Sequence, residues 1–176
     1  MDLFEERGFD QTTVAEIANR AGLTERTFFR HFADKREVLF GRAPELERLL
    51  ADGVSGAPPS SGALEAAQLS LTALGALLEE RRGRDFAARR QAILARNPEL
   101  QERDLIKMVA WSASLADALR CQGVPATHAS LVGEVAVAAF RVAFQAWVGS
   151  SRRRKLTELI EESFDGLREV AAQRRS

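Results

Sequence analysis

Cysteine is almost missing from this chain. Cys121 is alone, so no internal disulfide can staple the fold, which suits a reducing compartment. The expectation is that Cys121 is a small buried apolar side chain rather than a redox sensor. Histidine is scarce too, with only His31 and His128. No Cys/His cluster has the spacing of a zinc site. Neither a Gly-rich phosphate loop nor a nucleophile elbow appears. Adjacent carboxylates such as Glu79-Glu80 and Glu161-Glu162 read as wet helix surface. No enzyme, metal or cofactor is therefore expected. Charge of one sign is also lacking: 25 basic residues balance 25 acidic ones. No global positive field draws the chain to nucleic acid, so any DNA affinity must come from a local patch. No secretory signal and no apolar run near the ~18 residues needed to span a membrane are read. The expected location is the cytoplasm.

What is present is helix formers. Ala, Leu, Arg and Glu dominate, and no convincing strand pattern emerges. The fold class is expected to be all-α. The most informative stretch is Thr12 to Phe40, TTVAEIANRAGLTERTFFRHFADKREVLF. Thr13 and Glu16 have the spacing of a capping box. Val14, Ile17, Ala18 and Ala21 form one apolar face. Gly22 stands where a helix end wants a left-handed residue. Thr24 is an N-cap, and Leu23 with Phe28 is spaced as a hydrophobic staple. Phe28 and Phe32 share the inner face, and Asp34 with Glu37 starts a further helix. Two short helices about a glycine turn are a helix-turn-helix. The outward side of the second helix shows Glu25, Arg26, Thr27, Phe29, Arg30 and His31. An ordinary helical hairpin with a solvated face would carry the same local pattern.

The run GFDQTTVAEIANRAGLTERTFFRHFADKREVLF resembles the DNA-binding domain of the TetR family of transcriptional regulators. The resemblance rests on G-F before T-T-V-x-x-I-A, the A-G-L-T turn, T-F-F-R-H-F, and the following D-K-x-x-L-F. It implies residues 1–43 as a helix-turn-helix DNA-binding domain and 44–176 as a helical effector-binding and dimerisation domain. It also implies a homodimer, paired through the last two helices, that binds a double-stranded operator and releases it to a small effector. Arg26 and Thr27 are assigned to base edges. Glu25 is a partner for cytosine or for the helix dipole. Thr13, Thr24, Phe29, Arg30, His31 and Lys35 match backbone-contacting positions, which set register without choosing sequence.

The chain departs from the family at its start, where Met1 to Arg7 offers about two turns at ~3.6 residues each. The resemblance implies a longer first helix, so the natural start is expected upstream. The alternative is a ligand- or partner-binding protein of this fold that has lost DNA binding. Beyond Phe40, Gly41 and Pro44 predict a break. Gly53 to Gly62 is linker-like. Helices are predicted over 63–82, 84–96, 98–122 (Asn97 as cap, Pro98 at the first position), 126–148 and from Ser150 onward. Arg152 to Lys155 is the strongest charge run, read as a solvated loop or a second phosphate contact. Candidate pocket residues are Phe86, Arg89, Met108, Trp111, Leu115, Phe140, Phe144 and Trp147, which suit a hydrophobic or aromatic ligand. The same aromatic stripe would equally serve as core. Ile93 to Arg103 resembles the TetR subgroup that includes mycofactocin-type regulators. An acyl-CoA-like effector then becomes a candidate, with Arg89, Arg90 and Arg96 available to phosphates.

Overall fold

A computed structural model describes residues 1–41, 43–81, 83–150 and 154–172. All the regular elements among these are helices. α1 (Asp2–Arg7), α2 (Val14–Arg20), α3 (Glu25–His31) and α4 (Glu37–Phe40) form the N-terminal unit. α5 (Ala43–Ser55), α6 (Ala63–Arg81), α7 (Gly83–Ala95), α8 (Pro98–Cys121), α9 (Ala126–Gly149) and α10 (Leu156–Ala172) form the rest.

Local chemistry places the first helices. The Thr13 hydroxyl accepts from the Glu16 amide while Glu16 Oε2 accepts from the Thr13 amide, so the capping box is complete. Gly22, at φ 68°, supplies the left-handed turn after α2 at no steric cost. Thr24 caps α3 by accepting from the Thr27 amide. Phe28 is buried and stacks at 5.1 Å on Phe32. The staple is only half formed, however. Leu23 stays 44% exposed, because its backbone is held by the Ala18 carbonyl at 2.8 Å while its side chain faces outward. Asp34 Oδ1 accepts from the Arg36 and Glu37 amides, but α4 starts at Glu37 with Arg36 at its N-cap rather than at Asp34. Gly41, at φ 67°, ends it.

The main core packs α5, α6, α8, α9 and α10 around Trp111, Leu115, Leu119, Leu71, Leu74 and Phe164. α8 and α9 run close because Gly133 lies against the Ser112 carbonyl. A Cβ there would sit 2.5 Å from that oxygen, so only glycine fits without pushing the helices apart. A second core joins the N-terminal unit to the rest: Phe4, Phe9, Leu39 and Phe40 pack with Ile93 and Leu94 of α7 and Leu100 of α8.

Several expectations need correction. Cys121 is exposed, because it ends α8 on the solvent side rather than facing the core. α10 starts at Leu156 instead of Ser150. The Leu156 amide is capped at 2.5 Å by Glu79 of α6, a partner 77 residues away that no local pattern reveals. Of the charge run, Arg152 and Arg153 lie outside the described residues, while Arg154 pairs with Glu162. α9 is by length and composition apolar enough to cross a membrane. Glu134 and Arg141 interrupt its sequence, which is why the run read as short. Its Ala129, Ala136, Val137, Phe140, Ala143 and Trp147 are buried within this fold, as in a core helix.

Candidate nucleic-acid interface and effector cavity

α3 turns its apolar side inward through Phe28 and leaves the other side in solvent. Glu25, Arg26, Phe29, Arg30 and His31 are exposed, and Thr27 is half-buried. Arg26 makes no ion pair among the described residues. Arg30 reaches His31 at 3.4 Å. Phe29 is 53% exposed and meets Phe28 edge-on at 5.6 Å, so its ring is backed by the core and held outward. Thr13 and Thr24 are exposed at the starts of α2 and α3. Of the predicted interface residues on α3, all but the half-buried Thr27 are thus open to solvent. Lys35 is different, because its ammonium is bonded inward, to the Phe9, Asp10 and Thr12 carbonyls.

Between α4, α5, α6, α7, α8 and α9 lies a cavity of about 860 Å³, within the usual ~300–1,000 Å³ of ligand sites. Its lining includes six of the predicted pocket residues: Phe86, Met108, Trp111, Phe140, Phe144 and Trp147. Trp111, Phe140, Phe144 and Trp147 form a chain of rings with centroids 5.6, 5.9 and 5.8 Å apart in turn. Leu115 is instead in the main core with Leu50 and Val54. Arg89 points away from the cavity and pairs with Asp2 and Glu5 of α1. The Arg89 guanidinium, bonded to both, holds these two carboxyls below the usual range. Arg96 is exposed and does not line the cavity.

The polar part of the wall was largely missed from sequence. Arg81, Arg90, Lys107 and Arg141 line it as cations, with Glu45 and Asp104 as carboxylates. Arg90 is buried. Its Nε donates to the Leu39 carbonyl at 2.7 Å, its Nη2 donates to Asp104 Oδ1 at 2.8 Å, and its guanidinium lies 4.8 Å from the Phe40 ring centre. Lys107 reaches the same Asp104 oxygen at 3.5 Å and stands 4.7 Å over the Trp111 ring. Burial pushes the Asp104 carboxyl up, but Lys107 and Arg90 outweigh it and hold the group below the ordinary carboxylate value. Arg103 adds ion pairs to Glu37 at 3.5 Å and Asp34 at 3.9 Å, and also faces Phe40. The buried Trp111 indole N–H has no hydrogen-bond partner among the described residues. Among the described residues, no group of three or more His, Cys, Asp or Glu is placed to hold a metal.

Residues 1–41 match the family of bacterial regulatory proteins, tetR family. Residues 64–172 match the MftR C-terminal domain. The chain belongs to the TetR family. In this TetR-family chain α2 and α3 form the helix-turn-helix of the matched N-terminal domain, and the C-terminal domain is of MftR type. The chain is 33% identical over 66 residues to the HTH-type transcriptional regulator TcmR of Streptomyces glaucescens, covering 38% of this chain and 29% of that protein. It is 29% identical over 120 residues to the putative mycofactocin biosynthesis transcriptional regulator MftR of Mycobacterium tuberculosis, covering 66% of this chain and 58% of that protein. The matches therefore span less than two thirds of either relative. The fold is also that of Thermus thermophilus FadR, a TetR-family transcriptional repressor solved with lauroyl-CoA. Its TM-score is 0.61 at 23% identity, with 100% of this chain and 93% of that one covered. A putative TetR-family regulator from Mesorhizobium loti gives a TM-score of 0.57 at 20% identity, covering 97% of this chain and 90% of that one.

Proposed function

We propose that this chain is a repressor that binds a palindromic operator as a homodimer and releases it when a small amphipathic effector, apolar or acyl-CoA-like, fills the cavity. Arg26 and Thr27 read base edges, with Glu25 available to cytosine. Thr13, Thr24, Phe29, Arg30 and His31 hold the phosphate backbone. The chain binds and releases, and catalyses nothing.

The observation that carries the reading is Arg90. One side chain forms part of the cavity wall and bonds the Leu39 carbonyl at the end of α4. A ligand that displaces Arg90 or Asp104 withdraws a support of α4, which packs with Phe4 and Phe9 of the DNA-binding unit. Four cations against two carboxylates on the wall suit an anionic group beside an apolar body. The lauroyl-CoA held by Thermus thermophilus FadR has that chemistry. Dimerisation through α9 and α10 is supported by Leu131 and Val142, 61% and 60% exposed on α9, and by Val170 on α10. A two-fold pairing would set two α3 helices against two half-sites ~34–36 Å apart or a multiple of that.

The test is a salt titration of binding to the DNA upstream of its own gene, with and without lauroyl-CoA. The reading expects steep salt dependence, preference over random DNA, and roughly 5–150-fold weaker binding with the ligand present. Salt-insensitive binding, or equal affinity for random DNA, would sink it.

A further inference from the structure

Lys35 is a resource the DNA reading does not use well. It stands in the turn before α4, where its position in the family pattern suggests a phosphate contact. Its ammonium is nevertheless occupied within the domain. Nζ donates to the Phe9 carbonyl at 2.8 Å, to Thr12 at 3.0 Å and to Asp10 at 3.1 Å. An ammonium has three protons and no more. The same group sits 4.5 Å over the Phe9 ring, in range of a cation–π contact. All three carbonyls belong to the turn joining α1 to α2, which has no regular ladder to satisfy them. That turn ends on Thr13, the cap of α2. Its other anchor is Thr12, buried, whose hydroxyl donates to the Gly8 carbonyl at 2.7 Å.

We infer that Lys35 is a positioning residue for operator binding: it clamps the α1–α2 turn to the α3–α4 turn and so sets α2 and the cap Thr13 against α3, rather than giving its charge to a phosphate. A phosphate could accept from Nζ only if one of the three carbonyls gave up its hydrogen bond. The shape of the site also selects lysine. Three acceptors converge on one point, which suits a compact ammonium. A planar guanidinium spreads its donors in a fork and cannot meet all three.

That difference makes the test. Lys35→Arg keeps the charge and loses the clamp, and Lys35→Gln loses both. Operator affinity, its salt slope, and amide exchange over residues 9–18 are measured for both variants and the parent chain, well below the melting temperature. The clamp predicts that Lys35→Arg weakens operator binding roughly as much as Lys35→Gln, on the order of tenfold or more, while keeping the parent salt slope. It also predicts faster exchange at Thr13 to Ala18 in both variants. If Lys35→Arg binds like the parent while Lys35→Gln lowers the salt slope by about 0.9, the value for one lost phosphate contact, the inference is overturned. Unchanged affinity in folded variants that merely melt earlier overturns it too. Should the parent chain bind no DNA, the repressor reading fails by itself. Amide exchange then decides the clamp: faster exchange sustains it, and unchanged exchange refutes it.

Discussion

The outer face of α3 and the junction of α4, α7 and α8 both carry arginines, but they spend them differently. On α3, Arg26 stands exposed without an ion pair among the described residues. At the junction Arg90 is buried and bonded to the Leu39 carbonyl and Asp104. On the open face Arg26 is left to solvent, whereas in the junction Arg90 bonds the protein's own acceptors. Arg89 and Arg90 show the same division one residue apart. Arg89 holds α1 in solvent, and Arg90 holds α4 from the cavity wall.

The largest expected effect breaks the buried side of this comparison. Arg90→Met leaves Asp104 with Lys107 alone and takes the Nε donor from the Leu39 carbonyl, and should cost about 3 kcal/mol, read by thermal or denaturant unfolding. A loss no greater than that of an exposed arginine would mean the junction is not held this way. Arg26→Ala should leave unfolding unchanged and lower discrimination between operator and mismatched DNA by ~1–3 kcal/mol. Equal losses on operator and random DNA would remove Arg26 from base reading.

Acid sharpens the comparison further. Asp104 has a folded value below its ordinary 3.8, so its contribution is complete above pH 3.8 and is lost as pH falls through the lower folded value. Stability of the parent chain should therefore drop more steeply below that pH than stability of Asp104→Asn, measured by unfolding across an acid series. Parallel curves would show that Asp104 is not under the pull of its cations. The smallest effect belongs to Arg89→Gln. Its pairs with Asp2 and Glu5 are exposed, so the melting temperature should fall slightly at low salt and not at all at high salt. A salt-independent loss would place Arg89 in a structural role like that of Arg90.

Legibility followed distance along the chain. The caps at Thr13 and Thr24 and the left-handed Gly22 were readable because each donor and acceptor lies within three or four residues. The break after α4 was readable from Gly41 and Pro44. The cavity was only half readable. Its aromatic wall follows from helical spacing on α8 and α9, yet the placement of Leu115 in the core depends on where α5 lies. Arg89 and Arg90 look alike in sequence, and only packing against Leu39 and Phe40 separates them. The late start of α10 had no local sign, since the amide of Leu156 is capped by Glu79 from α6. Lys35 matched a phosphate-contacting pattern, while its carbonyl partners lie 23 to 26 residues upstream.

In the proposed repressor the cavity and the α3 face are coupled through Arg90. The direct measurement is the affinity of the parent chain and of Arg90→Lys for the operator, each with and without lauroyl-CoA, at a temperature where both are folded. Lauroyl-CoA should weaken operator binding of the parent chain, and this response should shrink toward nothing in Arg90→Lys while ligand binding itself persists. An undiminished response in the variant, or none in the parent chain, would contradict it.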